Sequence, residues 1–562
     1  MSLESVLSAR LGAAFAAVAG EPVDPVLRRS QRADFQADGA LRLARTLKKP
    51  PRDVALAVLG HDPLEDLCSD VTVAGPGFVN LTLREDVLST MVAEMAGGER
   101  FGLDAVEAQT VVVDYSAPNA AKEMHVGHLR STIIGDAIAR LLEWLGHRVI
   151  RQNHLGDWGT PFGMLIEHLV DTGAGADSSV GELSDFYRAA RRKFDADEEF
   201  RERSRRRVVA LQSGDAATRE LWHVVVARSL GYFAEIYDRL DVTLKHSDVA
   251  GESLYQDQLG PVAAELERLG LLRESDGAQC VFPAGFTNRD GDPLPLIVRK
   301  ADGGYGYDTT DLAAIRHRIL DLKATRLLYV VGTPQRQHFQ MIFQAAREAG
   351  WLTDGVRAEH VGFGSVLGMD GKMLRTRAGE NVTLATLLDE AVARAAAKVR
   401  ELGADIDVDA VAPAVGIGAV KYADLAADRM RDYTFDYDRM LAFDGNTGPY
   451  LQYAHARTRS ILRRAEAEPG AVTVAGPAER ELALALLGLP TVVTEVATSL
   501  EPHRLCAYLY GLAGAFTAFY ERCPVLRAEP EVRASRLALC ALTARVLAFG
   551  LGLLGIAAPE RM

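Results

Sequence analysis

Apolar positions recur at two spacings along this chain, and the switches between them mark out three regions. Leu3–Val18 carries its apolar residues on a helical repeat, and a second helix is expected near Phe35–Leu47. Val71–Leu83 alternates instead, and reads as two short strands around the turn Gly75-Pro76-Gly77. Arg84–Ala96 returns to the helical repeat, and Gly97-Gly98 closes the unit. These elements predict a small N-terminal α+β domain, bounded here at residues 1–108.

At Val111 the pattern changes. Val111–Tyr115 is a short apolar run suited to a buried parallel strand. Leu129, Ile133, Ile134, Ala137, Leu141, Leu142 and Leu145 then follow a 3.6-residue period, and Gly146 supplies the stop. Val149-Ile150 reads as the next strand, which completes a right-handed βαβ unit. A charged, helix-rich stretch interrupts the alternation, which resumes at Leu312–Leu320, Leu327–Val331 and His338–Ala349. We read one doubly wound, Rossmann-like α/β domain over 109–403, with an insertion at about 173–290. From about residue 404 strand signals vanish, and 404–562 reads as an all-α helical bundle. Within it, Leu482–Leu489 and Leu547–Ala558 are too short for a membrane span and are expected to be buried helices.

Composition narrows the function classes. With 562 residues, 48% hydrophobic and 25% charged, the chain has material for three or four globular domains of about 150 residues each. The net charge of −13 argues against a protein that coats nucleic acid in bulk, yet leaves room for a local basic face. Cys68, Cys280, Cys506, Cys523 and Cys540 are scattered and odd in number. No C-x-x-C spacing suggests a zinc ribbon, and reduced thiols in the cytoplasm are expected. The first twenty residues lack a basic start, and Glu4 and Arg10 interrupt them, so they read as an amphipathic helix and not a signal peptide.

The sharpest chemical signal is His125-Val-Gly-His128, placed between the first strand and the first helix of the βαβ unit. Chance gives H-x-G-H about 0.03 times in a chain of this composition. A helix N-terminus attracts phosphate through free N–H groups and its dipole. Two histidines add donors for charge developing at phosphorus, and Gly127 lets a nucleotide approach. The bland alternative is a pair of capping histidines. The second signal is the loop 364–379, with glycines at 364, 368, 371 and 379 and the cations Lys372, Arg375 and Arg377. Such a loop can close over a polyphosphate; alone it is as readily a solvated basic turn.

Ser116–Ser131 and Gln152-Asn-His-Leu-Gly-Asp-Trp-Gly159 closely resemble signature regions of the arginyl-tRNA synthetases, a class I aminoacyl-tRNA synthetase family. Tyr307–Ala314, Ala442–Ala454 and the terminal Glu560-Arg-Met562 are similar to that family too, in order along the whole chain. The loop at 364–379 resembles a degenerate KMSKS loop whose first lysine is absent and whose second basic position is Arg375, while Lys122 stands just before the histidine motif.

The resemblance implies an additional N-terminal domain, a Rossmann catalytic domain and an anticodon-binding bundle. It implies ligation of L-arginine to tRNA(Arg) through an arginyl-adenylate, with ATP and Mg²⁺ as the substrate complex and no structural zinc. It implies ATP contacts from His125, Gly127, His128, Gly364, Lys372 and Arg375, with catalysis by the histidines and the cations Lys122, Lys372 and Arg375. Arginine would meet Ser116, Asn119, Asn153, Tyr307, Asp311 and Gln335. Chemistry agrees for Asp311, because a carboxylate pairs bidentately with a guanidinium fork, although Asp311 could equally be a helix N-cap.

For tRNA the resemblance points to Phe78, Asn80, Arg457 and Met562. An aromatic can stack on a splayed base and an amide can bond its edge; a core phenylalanine and a turn asparagine are the plainer alternative. The stretch 446–464 holds Arg457, Arg459, Arg463 and Arg464 and no acid, so its arginines could line phosphates or form a solvated face. A monomer with no membrane association is expected. Rival readings are a specialised or resistant paralogue, a catalytically silent tRNA-binding homologue, and a small nucleotidyltransferase; the intact His125, His128 and Asp311 count against the second, and the flanking domains against the third.

Overall fold

The computed structural model describes residues 2–173, 181–374, 382–401 and 406–562. Helix Leu3–Ala19 opens the chain, capped by Ser2, whose hydroxyl accepts from Ser5 N. It buries Leu3, Leu7, Leu11, Ala14 and Phe15, the face its spacing announces. The sheet of this domain is antiparallel, in the order Leu27–Arg29, Phe35–Ala37, Phe78–Leu83, Cys68–Ala74. The helix expected from Phe35 therefore starts later, at Gly39. Phe35–Ala37 pairs on both edges and is buried throughout, so sheet pairing prevails over three residues too few to show a period.

The central sheet is parallel, in the order Arg357–His360, Arg326–Tyr329, Thr110–Asp114, Arg148–Gln152. From Thr110–Asp114 the chain first adds a strand on one side, then crosses to the other for Arg326–Tyr329. The gap between those two carboxyl ends is the topological switch point, where open α/β sheets bind ligands. Between Gln152 and Arg326 lie the helices Thr160–Thr172, Gly181–Ala196, Glu198–Gln212, Ala216–Arg239 and Gln256–Arg268. They are followed by a three-stranded antiparallel sheet, Leu272–Ser275, Ala278–Val281 and Leu296–Arg299, which the helical pattern did not announce.

The C-terminal region is helical, with one exception to the expectation that strands vanish after 404. Tyr433–Thr434 pairs in parallel with Val366–Leu367, at the base of the 364–379 loop. Helix Leu384–Glu401 packs along Val408–Leu425 so closely that a Cβ on Gly416 would fall 2.7 Å from the Ala391 carbonyl oxygen. One continuous apolar core joins the N-terminal domain, helix Val126–Leu145 and the bundle. The segments Pro477–Ser499 and Pro530–Leu553 are long and apolar enough to cross a membrane, but half of the first and two thirds of the second are buried inside the fold.

Candidate active site

Strand Thr110–Asp114 delivers the chain to the switch point in an unusual conformation. Ser116 and Ala117 have φ of 73° and 48°, a left-handed geometry that costs a residue with a side chain about 1–2 kcal/mol. Hydrogen bonds hold it: Ser116 N donates to Ser131 Oγ at 2.9 Å and Ala117 N to Asn153 Oδ1 at 3.0 Å. Asn119 packs on Gly156, where a Cβ would lie 2.2 Å from Asn119 Oδ1.

The segment then enters helix Val126–Leu145, whose N-cap is His125. His125 Nδ1 accepts from Gly127 N at 3.0 Å, and His128 Nδ1 accepts from His125 N at 3.1 Å. With both Nδ1 atoms accepting, the neutral rings carry their protons on Nε2. Burial, then the facing His125 and Lys122, push His128 down to about 3; burial and Lys122 also lower His125. The pair therefore stands as neutral N–H donors, with ring centroids 4.1 Å apart. Capping and function coincide here, because the caps use Nδ1 and leave Nε2–H free of them. Gly127 answers to this arrangement: a Cβ there would fall 2.7 Å from His125 Cε1.

Gly127 and His128 open onto a cleft of about 670 Å³ that is also lined by Ser116, Asn119, Tyr307, Asp311 and Gln335. Its charge is set by three carboxylates, Asp114, Glu252 and Asp311. Asp114 is neutralised from beneath by buried Arg318, at 2.8 Å, which also donates to Gln152 Oε1 at 2.6 Å. Asp311 contacts His338 Nε2 at 2.6 Å. Asp311 is the fifth residue of helix Tyr307–Leu320, whose N-cap is Gly306, so the capping alternative falls. Tyr307, one turn earlier, is exposed and its ring lies 5.4 Å from that of His338. Burial, with Asp157 and Asp311 nearby, pushes Glu252 up to about 7.

Asp114, Glu252 and His338 escaped the sequence reading. Asp114 is the acid that ends an otherwise apolar strand, a usable signal; Glu252 comes from the insertion, where no local pattern marks it.

Other expected site residues lie apart from the cleft. Asn153 is buried beneath its floor, its amide spent on Ala117 N and the Tyr237 hydroxyl. Lys122 is exposed, its Nζ 4.8 Å from the Tyr187 ring centre. Gly364 sits against Arg431 and Asp432, where a Cβ would come within 2.6 Å of both, and Lys372 is exposed on a turn closed by Gly368 N donating to the Lys372 carbonyl at 2.7 Å. Arg375, Arg377 and Gly379 lie outside the described residues. The far stem of that loop is tied to the histidine motif, Val126 N donating to the Val382 carbonyl at 3.1 Å and Leu384 N to that of Met124 at 2.8 Å.

Of the residues expected to meet tRNA, Phe78 is half-buried and Asn80 buried, both on the sheet face opposite Val79, Leu81 and Leu83. Asn80 is thus a strand residue and not a turn residue. Arg457 stacks on Tyr520 at 4.7 Å, and Met562 packs against the bundle core. The acid missing from 446–464 arrives from the chain end: Glu560 accepts from Arg459 at 2.7 Å and its carbonyl from Arg463 at 3.1 Å.

A switch-point cleft that is acidic on one wall and presents neutral histidine donors at a helix N-terminus on the other belongs to a class I aminoacyl-tRNA synthetase. Residues 90–437 match the family "tRNA synthetases class I (R), catalytic domain", 451–562 the "DALR anticodon binding domain", and 1–83 the "Arginyl tRNA synthetase N terminal domain". The chain belongs to the arginyl-tRNA synthetase family and ligates arginine to tRNA. It is 56% identical to the arginine–tRNA ligase of Thermobifida fusca, over 100% of this chain and 99% of that one, and 48% identical to that of Salmonella agona, over 100% of each. In structure it is similar to the arginyl-tRNA synthetases of Plasmodium falciparum (TM-score 0.86, 28% identity, 99% of each chain) and Thermus thermophilus (0.85, 27%, 100% of each).

Proposed function

We propose how the cleft divides the work. Arginine lies with its guanidinium toward Asp311 and Tyr307, and its α-amino end toward Ser116, Asn119 and Gln335. ATP, carried with Mg²⁺, lies over Gly127. A carboxylate oxygen of arginine attacks the α-phosphorus and pyrophosphate leaves; His125 and His128 donate Nε2–H bonds to oxygens that gain charge in that step. The 3′-terminal adenosine hydroxyl of tRNA then attacks the acyl carbon and AMP departs. Positioning and charge stabilisation supply the rate, with no covalent enzyme intermediate. Lys372 and Arg375 would reach the pyrophosphate by closure of the 364–379 loop, whose stem at Val382 is hydrogen-bonded to the histidine motif, and Lys122 would reach it from just before that motif.

Residues 1–108 would grip the tRNA elbow through Phe78 and Asn80, and 404–562 the anticodon stem and loop through Arg457 and Met562. All five cysteines are free and buried, which suits a cytoplasmic enzyme, and we take it to work as a monomer. The observation that carries the reading is the convergence of neutral His128 and Asp311 on one cleft. Pyrophosphate exchange with each amino acid, with and without tRNA, tests it. We expect exchange with arginine alone, dependent on tRNA; equal exchange with a second amino acid would overturn the assignment.

A further inference from the structure

Asn153 matches a family signature, yet its side chain points away from the cleft and into a chain of buried polar groups. Its Nδ2 donates to the Tyr237 hydroxyl at 2.9 Å, and that hydroxyl lies 2.7 Å from Ser116 Oγ. Ser116 Oγ is 2.9 Å from Thr132 Oγ1, which is 2.7 Å from the His128 carbonyl. Thr132 Oγ1 is the donor toward both Ser116 Oγ and the His128 carbonyl, and the Asn153 amide, which can only donate through its NH₂, is the donor at the other end. All four side chains are buried: Asn153 is 2% exposed, Tyr237 5%, Ser116 3% and Thr132 0%.

This chain encloses the costliest backbone in the site. Ser116 and Ala117 are consecutive left-handed residues without glycine, and such strain persists only where the surroundings over-determine it. Asn153 Oδ1 holds Ala117 N, and Tyr237 ties Asn153 to Ser116. Tyr237 comes from helix Ala216–Arg239 of the insertion, 121 residues beyond Ser116. The histidine motif meets this chain only at the His128 carbonyl, and its rings are held by capping bonds of their own.

We infer that Tyr237 is a positioning residue for arginine: it locks the strained Ser116–Ala117 pair, through Ser116 directly and through Asn153, and so sets the position of Asn119 and Ser116 in the cleft. The inference rests on the reading that this segment faces the amino acid. It assigns Asn153 to the same framework, acting from beneath the cleft.

The test is steady-state pyrophosphate exchange by full-length Tyr237→Phe at saturating tRNA, with active sites titrated. The loss of one buried hydrogen bond on each side predicts a rise of about tenfold in KM for arginine. KM for ATP should stay within about twofold, because the histidine rings keep their own capping bonds when the Tyr237 hydroxyl is removed. Asn153→Ala should give the same split, and the double variant should be no worse than the worse single one, since both cut one chain. Thr132→Val cuts the chain at its other end and serves if Tyr237→Phe folds poorly. Tyr232→Phe, on the same helix, should leave KM for arginine unchanged. A lower melting temperature with an unaltered KM for arginine would reduce Tyr237 to a structural role and overturn the inference. Asn119→Ala separates the two levels. If it raises KM for arginine and Tyr237→Phe does not, the inference fails and the site reading stands; if neither does, the site reading fails and takes the inference with it.

Discussion

Asp311 Oδ2 lies 2.6 Å from His338 Nε2, and Asp308 Oδ1 lies 3.6 Å from the other ring nitrogen. Burial alone would lower His338; the hydrogen bond and charge of Asp311, aided by Asp308, outweigh it and raise the ring above its usual value. This carboxylate on the cleft wall is thereby held in one orientation, which is what the proposed pairing with a guanidinium fork requires.

Arginine and citrulline have nearly the same shape and differ in charge, so the proposed role of Asp311 predicts that specificity lies in its carboxylate. Asp311→Asn should lower kcat/KM for arginine by about a thousandfold and narrow its margin over citrulline, because the partly buried carboxylate that favours a charged guanidinium over a neutral urea is gone. Helix Tyr307–Leu320 should survive, since its cap is Gly306. Exchange assays with both amino acids, beside a melting curve, check this. A stable variant that remains arginine-selective would remove Asp311 from recognition.

The same cleft predicts a pH dependence. Glu252 has its carboxyl raised to about 7, so it ionises as pH rises from 6 to 8, while His338 loses its proton over the upper part of its raised range. Both changes make the cleft more negative and favour a guanidinium. KM for arginine should therefore fall by about tenfold between pH 6 and 8, the change in ionised fraction of a group with its midpoint near 7. Glu252→Gln should flatten most of that slope, leaving the His338 part. In stability the sign is opposite: a raised carboxyl favours the protonated folded state, so Glu252 weakens the fold as pH rises from its ordinary value toward 7. A KM that rises with pH would contradict the assignment of Glu252 to the cleft's charge.

Gly127→Ala puts a methyl group 2.7 Å from His125 Cε1 and displaces that ring. Adenylate formation should fall about a hundredfold, the scale of losing one preorganised donor, as it should in His128→Ala. Affinity for tRNA should be unaltered in both, because neither residue is among those proposed to meet tRNA. Because both histidines titrate below their usual range, neither should add an inflection to kcat near neutral pH. Normal exchange in both variants would take the motif out of the chemistry.

What the sequence made legible follows from range. The βαβ unit, helix Val126–Leu145 and the Gly146 stop are local patterns, and they stand where the period puts them. Phe35–Ala37 was misread because three residues carry no period, and only partners at Leu27 and Leu81 make them a strand. The site divides in the same way. His128, Asp311 and Tyr307 lie in recognisable local contexts. Glu252 and Tyr237 reach the site from the insertion, Arg318 from across the sheet, and Glu560 reaches Arg459 from the chain end. No spacing along the chain encodes those meetings.

The N-terminal domain offers the last test, and the structure changes how it should be done. The composition break at Gly97-Gly98 suggests cutting there, but that domain is bolted to the bundle. Asp34, 7% exposed, accepts from Arg480 Nε at 2.9 Å and from Leu83 N at 2.7 Å, and Arg480 also donates to the Leu83 carbonyl at 2.6 Å. Val474 N donates to Ser89 Oγ at 2.9 Å, and Arg545 to the Gly98 carbonyl at 3.1 Å. A truncation would uncover that seam and the apolar core beneath it, so a loss of tRNA binding would have two causes. Arg480→Ala is cleaner. It leaves the Asp34 charge buried with a backbone partner only, which should cost about 3 kcal/mol and lower the melting temperature. If residues 1–108 grip tRNA while docked on the bundle, loosening the joint should also raise KM for tRNA severalfold, with KM for ATP and arginine unchanged at saturating tRNA. Phe78→Ala should raise KM for tRNA without the loss of stability, because Phe78 is half-buried and distant from that ion pair. An Arg480→Ala enzyme that melts earlier but keeps its KM for tRNA would mean the seam stabilises the fold and does not align the domain for tRNA.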